Sequence, residues 1–339
     1  MAALASRPVD QPMRSGSLRF YLTNEFGLVV LIALFACLFG LLTEGRFFSS
    51  FNQFALGRVA AINIMVGFAM MVVIVTGGLN LAVGAIGVCA AMVFGFVVER
   101  GGMPWPIAAV AAIGTGLVLG WINGFVIVRS GLHSFIITLA SMSIFFGTMT
   151  YLTQGQSFRS IPPSFSSLST TRLFGLVSPV LLIAITVGLL LIVLYRYTVV
   201  GREMLAAGAR PEAAELSGVR VGRIFILCHM LSGALAGVAA LIVVARNAAA
   251  LPTMAGQLGQ DWLLLAFLGP VLGGTLLGGG RVSVIGTLLG AILVTMLSNG
   301  LLLLQIGEFW VQACLGVLLL IAVLIDLARR SYLAHRRMV

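Results

Sequence analysis

The chain has 339 residues, of which 60% are hydrophobic and only 9% are charged, and its mean hydropathy is +1.12. A soluble domain carries about 25% charged residues, so this composition excludes a soluble enzyme or binding module and predicts an integral membrane protein. The formal net charge is +10, but the basic residues separate apolar runs and form no patch, which argues against a nucleic-acid partner.

The first half of the chain predicts five membrane spans. Residues 1–25 are polar and are expected to form a short cytoplasmic tail, and the charge-free run 26–43 fits a first span. Residues 59–98 also carry no charge. One helix of that length would measure about 60 Å, twice the thickness of the hydrocarbon core, so we predict two spans here. Spans four and five follow at 107–128 and 134–152.

The turn between the second and third spans is predicted at the segment TGGLNLAVG, which runs from Thr76 to Gly84. Paired glycines followed by Asn and a further Gly are typical of an interruption in a helix. The fourth span has a different glycine pattern, a four-residue spacing that lets a neighbouring helix approach closely. Its members are Gly116, Gly120 and Gly124.

The second half predicts five more spans, at 176–195, 224–245, 262–280, 283–304 and 309–325. Residues 153–175 are rich in Ser, Thr and Pro and predict an exposed loop on the outer side, and 246–261 form a second outer loop. A second glycine-rich interruption, Gly273 to Gly280, repeats the pattern of the first. Paired interruptions hint at two related halves, as in many transporters.

Arginine counts predict the orientation, because cytoplasmic loops carry the excess of positive charge. With ten spans and an inner N-terminus, fourteen arginines lie inside and six outside, the latter being Arg46, Arg58, Arg100, Arg159, Arg172 and Arg246. We therefore predict an all-α, polytopic membrane protein of about ten transmembrane helices, broken at Gly-rich segments, with both termini cytoplasmic. A membrane domain over 26–326 precedes a C-terminal tail, 327–339; eight or eleven spans are the alternatives if a break is re-entrant.

The sequence offers no catalytic set and no metal-ligand spacing. His133 and His229 fall within spans and are expected to be interfacial or hydrogen-bonded packing residues. No acidic residue falls clearly inside a span, whereas a proton- or sodium-coupled carrier usually needs an intramembrane carboxylate. The chain also contains no lysine, which the phosphate-binding loop of many ATPases requires. Energy for any ATP-driven step is therefore expected from another polypeptide.

The charged loop 196–223 is the only sizeable docking surface predicted on the inner side. Two short helices are expected in it, Gly201–Ala207 and Pro211–Ser217, separated at Gly208 and stopped at Gly218. Pro211 suits a first helical turn, and Glu212 favours the same N-terminal end. Ala213, Ala214 and Leu216 would supply an apolar contact face. A plain solvated loop is the alternative to a docking helix pair.

Several segments together resemble permease subunits of bacterial ABC importers of the ribose and branched-chain amino acid type. Thr76 to Gly84 is similar to that family's TGG-(I/L)-(D/N)-L-(S/A)-VG segment, although Asn80 stands where sugar members often carry Asp. Residues 134–140, 273–291 and 299–300 are similar to further family segments. The cytoplasmic coupling loop of the family is matched, without the Leu-Pro of its longer signature, at Gly201, Arg202, Glu212, Ala213, Ala214 and Gly218.

The resemblance implies an importer subunit of the bacterial inner membrane that moves a small polar solute, with a monosaccharide or polyol as the leading substrate. Branched-chain amino acids, nucleosides or another small solute are the nearer alternatives, and an ion-coupled secondary carrier is the remoter one. The implied partners are a cytoplasmic ATPase, a periplasmic substrate-binding protein and a second permease copy or sister permease in the lipid bilayer. This chain is expected to bind no cofactor, since ATP and Mg²⁺ would lie on the ATPase.

Polar and glycine residues within the spans are candidates for the translocation path. Each polar one could instead form a hydrogen bond between helices. The candidates are Thr76, Gly77, Gly78, Asn80, Asn123, Thr138 and Asn299.

Overall fold

A computed structural model of the chain describes residues 24–173, 175–254, 256, 260–307, 309–321 and 324. In this part of the chain every regular element is a helix, and the only β-type pairings are isolated bridges in loops. The predicted all-α class is confirmed. The predicted tails lie outside the described residues, apart from residues 24 and 25, which begin the first helix.

The helices follow one another with short connections. They are α1 Asn24–Leu42, α2 Ser50–Ile74, α3 Val83–Glu99, α4 Trp105–Ser130, α5 Ser134–Thr153, α6 Pro163–Thr170, α7 Pro179–Tyr197, α8 Val199–Ala209, α9 Pro211–Leu216, α10 Val221–Asn247, α11 Gln260–Leu272, α12 Val284–Leu303 and α13 Phe309–Ile321. A short 3-10 turn, Arg46–Phe48, precedes α2.

Seven of the described helices are long and apolar enough to cross a membrane: α1, α2, α4, α5, α7, α10 and α12. Three shorter apolar helices, α3, α11 and α13, occupy the positions of predicted spans three, eight and ten. With 13 residues, α11 is about 20 Å long, less than the hydrocarbon thickness of about 30 Å. The structure thus supports a polytopic protein, while the count of ten spans stays a prediction.

Helix α2 lies at the centre of the molecule. In its most apolar 18-residue stretch, 89% is buried. It packs against α7, α10, α11 and α12, and its side chains from Ile64 to Ile74 are shielded on every side. Polar pairs join it to α12: the Asn63 amide donates to the Thr295 hydroxyl at 2.9 Å. Because such pairs satisfy polar groups away from water, they fix the register of α2 against α12.

Helices α4 and α10 pack closely against each other, and glycine makes the close approach possible. Gly116 lies against the backbone of Gly233, and a Cβ built on Gly120 would lie 3.0 Å from the Cα of Met230. Further along, a Cβ on Gly124 would lie 2.7 Å from the Cα of Ile226. The predicted role of the four-residue glycine spacing is confirmed.

The two ends of the bundle differ. At the break end lie break 1 (residues 75–82), break 2 (residues 273–283) and the loop with α8 and α9. The opposite, far end carries the loops around α6 and after α10, which pair through Phe158 and Ala250 with N–H···O distances of 3.0 and 2.8 Å. The segment 153–175, predicted as an exposed loop, contains the short helix α6, which buries Phe165 against Phe94 with ring centroids 4.5 Å apart.

Candidate coupling and translocation site

Break 1 interrupts the helical hydrogen-bond pattern between α2 and α3, and its backbone is satisfied by side chains of another helix. The Leu79 amide donates to the Ser134 hydroxyl at 2.8 Å, and the Leu81 amide donates to the Thr138 hydroxyl at 3.1 Å. Both acceptors lie in the first turns of α5. A buried amide without a partner costs about 1–3 kcal/mol, so α5 holds break 1 in this open conformation.

Asn80 is the polar centre of break 1 and is fully buried. Its side-chain nitrogen donates to the Ser232 hydroxyl on α10 at 2.9 Å, and its oxygen accepts from the Ala82 amide at 3.1 Å. The second bond lies directly ahead of α3, where it satisfies an N–H group at the start of that helix. In this conformation Asn80 is therefore an interhelical link, which was one of the two roles expected for it.

Break 2 is built from turns after α11. The Thr275 amide donates to the Pro270 carbonyl at 2.9 Å, and the Gly279 amide donates to the Leu276 carbonyl at 2.9 Å. Gly279 and Gly280 have φ of 82° and 77°, a left-handed conformation that costs other residues energy. Within the predicted eighth span, 262–280, the helix α11 ends at Leu272, and the turns of break 2 make up the rest.

The two breaks are hydrogen-bonded to each other, although they lie far apart in the sequence. The Gly280 amide donates to the Val75 carbonyl at 2.8 Å. A Cβ built on Gly279 would lie 2.7 Å from the amide nitrogen of Gly77. The two interruptions that the sequence presents as separate motifs thus form one site, which we call the break junction (residues 75–82 and 273–283).

Helix α8 ends on the break junction. Gly208 has no room for a side chain, because a Cβ there would meet the Val75 carbonyl oxygen and would lie 2.7 Å from the Gly280 amide nitrogen. A Cβ on Gly279 would lie 2.8 Å from the carbonyl oxygen of Gly208. The prediction that Gly208 separates the two loop helices was wrong: it lies inside α8, and the chain turns at Arg210 with φ −154° and ψ 95°.

The other end of α8 is fixed to α7. The Thr198 hydroxyl accepts from the Gly201 amide at 3.1 Å, which caps the helix. Gly201 itself is buried against the last turn of α7, where a Cβ would lie 2.7 Å from the Cα of Tyr195. Arg202 is exposed beside this contact. A rigid, capped helix that contacts α7 at one end and both breaks at the other can transmit a displacement between them.

Helix α9 forms the outermost part of this end. Glu212, Ala213 and Leu216 are exposed, and Leu216 is 91% exposed. Ala214, which was expected to form an apolar contact face with Ala213 and Leu216, is buried, so this contact face stays a prediction. The helix stops at Gly218, as predicted, with φ 85°.

A groove of about 360 Å³ lies beside α9, between it and α8. Its wall combines small side chains with one guanidinium group: Ala206, Ala209, Arg210, Ala213, Ala214, Ser217 and Val219. The groove leads from the outer surface of the loop towards the end of α8 that contacts the breaks.

The candidate path residues divide into separate groups. Thr76, Gly77, Gly78, Asn80 and Thr138 come together around break 1. Asn299 lies at the far end, where its amide and that of Asn52 exchange hydrogen bonds of 2.9 and 3.0 Å. Asn123 is buried in α4 with both amide atoms unpartnered. The hydrogen bonds of Asn299 therefore connect it to the start of α2 and not to break 1.

Sequence reasoning missed the residues that hold the break junction in place. Ser134 and Ser232 have no sequence feature that marks them as functional, yet each binds break 1. Glu25 accepts a hydrogen bond from Ser283 at 2.9 Å and so ties the start of α1 to break 2. The only sequence feature that could have indicated these residues is a Ser or an acid in or next to an apolar span. Such residues are common in membrane helices, so the feature does not identify a site.

Apolar spanning helices, the buried backbone of break 1, and a charged helix pair of which α8 contacts both breaks are the features of a multi-pass membrane transport protein. Interrupted helices occur in many transporters, where the irregular backbone is buried in protein or lines a cavity. Among the described residues, no group of three or more His, Cys, Asp or Glu side chains could hold a metal ion.

The chain belongs to the family described as branched-chain amino acid transport system / permease component, whose model matches residues 52–324. This match includes both breaks, α8 and α9. The family and the apolar helices together make the chain a multi-pass inner-membrane protein.

Named relatives cover nearly the whole chain. The fructose import permease protein of Rhizobium meliloti is 34% identical over 307 residues, covering 88% of this chain and 83% of the relative. The ribose import permease protein of Bacillus subtilis is 34% identical over 302 residues, covering 88% and 90%. The D-allose transport system permease protein of Escherichia coli is 27% identical over 303 residues, covering 89% and 91%. No solved structure matches the chain.

Proposed function

We propose that the chain is the transmembrane subunit of an ATP-driven importer and that it translocates a monosaccharide or a related polyol across the bacterial inner membrane. The observation that carries the proposal is the contact of α8 with both breaks, because it connects an exposed loop to buried irregular backbone. The substrate class is taken from relatives that are named as fructose, ribose and D-allose permeases.

The membrane topology that fits this function has ten spans, with α3, α11 and α13 completing the set and both termini in the cytoplasm. The break end then faces the cytoplasm and the far end faces the periplasm. Support comes from the charge distribution: the loop with α8 and α9 carries Arg202, Arg210 and Arg220 in addition to its flanking arginines.

The proposed transporter contains three kinds of partner, each with its own role. A cytoplasmic ATPase binds ATP and Mg²⁺ and docks on α9 and the groove beside it, and a periplasmic binding protein delivers the sugar to the far end. A second permease copy or a sister permease completes the pore. ATP shifts the pore between two openings only if the assembly binds it with different affinity in the two states. In this arrangement α8 carries the displacement of the docked ATPase to the break junction.

The docking role of α9 is tested by Glu212→Lys. We expect the variant to insert normally and to lose at least about tenfold in ATP-driven sugar uptake, since a weakening of about 1.4 kcal/mol at the interface corresponds to a factor of ten. The measurement is uptake into vesicles that hold the assembled transporter, together with the amount of ATPase retained on the permease. Gly218→Asp, which places a side chain at a left-handed position, should act in the same direction.

The matched control is Glu44→Lys, which makes the same change of charge at an exposed position of the far end, away from α8 and α9. We expect its uptake to stay within about twofold of the unchanged chain, because the exposed face of α9 is intact. Full uptake by both Glu212→Lys and Gly218→Asp would contradict the docking role.

A further inference from the structure

Three arginines from separate segments converge at the far end of the molecule. Arg58 lies in the first half of α2, Arg172 follows α6, and Arg246 is in the last turn of α10. We call them the arginine cluster. None of the functions assigned above uses these side chains, and their positions at the opposite end of α2 separate them from the break junction.

Two of the three arginines contact the same aromatic ring, that of Phe54. The guanidinium carbon of Arg172 lies 4.8 Å from the ring centroid of Phe54, and that of Arg58 lies 5.6 Å from the same centroid. Contacts of this kind hold the charged group over the ring face, while its N–H groups remain available to an acceptor. Phe54 is buried, so it provides a fixed platform for the two cations.

The third arginine, Arg246, contacts Arg58 through its backbone. Its carbonyl oxygen accepts a hydrogen bond from the Arg58 guanidinium at 3.3 Å, which brings the two residues together across α2 and α10. The Nε atom of Arg58 is buried and has no hydrogen-bond partner. None of the three side chains pairs with a carboxylate among the residues that the structure describes.

Three positive charges held together with no carboxylate partner in the described part of the chain are unfavourable, because like charges repel and the buried Nε atom of Arg58 lacks an acceptor there. An approaching anion relieves both costs. Arginine suits this task better than lysine, since its planar group binds a carboxylate through two parallel hydrogen bonds. The cluster therefore has the chemistry of an anion-recognition surface.

The position of the cluster indicates what the anion belongs to. Arg58 is in the first half of α2, which packs against four other helices at the centre of the bundle, so the cluster lies on the end of the bundle and not along its lipid-facing sides. Arg172 and Arg246 are exposed there. A neutral monosaccharide needs no such concentration of positive charge, and a lipid headgroup would meet the periphery of the bundle. A soluble protein that docks on the far end can reach all three residues.

We propose that the arginine cluster is the electrostatic docking point for acidic side chains of the soluble substrate-binding protein. This inference rests on the proposed importer function and adds the chemistry of the contact. Complementary charge at a protein interface raises the association rate and fixes the orientation of the partners. The cluster thereby places the sugar-delivering protein over the outer end of α2.

The test uses the assembled transporter in lipid nanodiscs, with the purified binding protein of the same system loaded with sugar. Arg172→Glu and Arg246→Glu are combined, because both side chains are exposed and their replacement spares the buried part of α2. We expect the binding-protein concentration for half-maximal ATPase stimulation to rise by at least about tenfold, with the maximal rate unchanged. The rise of this concentration with added NaCl should be smaller in the variant than in the unchanged chain.

The matched control is Arg46→Glu, which makes the same change of charge at another exposed far-end arginine. Its half-saturating concentration should stay within about twofold of the unchanged value. Replacing single surface acids of the binding protein by Arg should identify at least one that restores affinity for the double variant.

Two results would overturn the docking proposal while leaving the importer function intact. One is equal half-saturation and equal salt dependence in the double variant and the unchanged chain. The other is a double variant whose affinity for the binding protein is unchanged but whose ATPase activity no longer responds to anionic phospholipid. That result would make the cluster a lipid site. If the binding protein fails to stimulate even the unchanged complex, the proposed importer function itself fails.

Discussion

Replacement of Gly208 by Val is expected to abolish sugar uptake while the protein still reaches the membrane. The added Cβ would meet the Val75 carbonyl oxygen, which is the acceptor of the hydrogen bond that joins the two breaks. Either α8 moves away or the bond between Val75 and Gly280 is lost. Forcing extra groups into a packed site typically costs about 1–3 kcal/mol. We expect this to weaken the contact between α8 and the two breaks.

The measurement is ATP-driven uptake compared with ATPase activity in the same vesicles. We expect uptake to fall by at least about tenfold, with ATP hydrolysis retained to a greater extent, because the docking surface on α9 is untouched. Gly208→Ala should show a weaker effect in the same direction. Equal uptake by Gly208→Val and the unchanged chain would mean that α8 does not act on the breaks.

Replacement of Gly116 by Val is expected to have the largest effect on stability. A Cβ at this position would meet the carbonyl oxygen of Gly233, so α4 and α10 could no longer approach each other. Helices in a membrane associate through close packing and hydrogen bonds, and no hydrophobic driving force compensates for a lost contact. The separation would also disturb Asn80, whose partner Ser232 lies next to Gly233.

Thermal unfolding of the purified protein in detergent measures this effect. We expect a fall of several degrees in the midpoint for Gly116→Val, consistent with a loss of about 1–3 kcal/mol. The control is Gly114→Val in the same helix, where a Cβ would have no neighbour within 4 Å. Its midpoint should match that of the unchanged chain. Equal midpoints for the two variants would contradict the packing described for α4 and α10.

Local sequence features predicted much of the fold. Charge-free runs located the long helices, and the paired glycines located both interruptions, because apolar length and turn-forming residues act within a few positions along the chain. The stop at Gly218 was predicted for the same reason. These features depend on neighbouring residues only and can therefore be read without knowledge of the tertiary structure.

Contacts between distant segments could not be predicted in this way. Nothing in the sequence near Gly208 indicates that it lies against Val75 and Gly280, because helical periodicity reveals a buried face but not its partner. The same limit explains Asn80 and Asn299, whose polar side chains suit a pore and an interhelical bond equally well. The structure places both in hydrogen bonds between segments.

The central claim is that this chain translocates sugar only when an ATPase acts on it through α8 and α9. The most direct measurement is uptake of radiolabelled monosaccharide into liposomes that contain the chain alone, or the chain with its ATPase and binding protein. We expect uptake only in the complete system and only with ATP. Sugar uptake by the chain alone, driven by an ion gradient or by the sugar gradient itself, would contradict the claim.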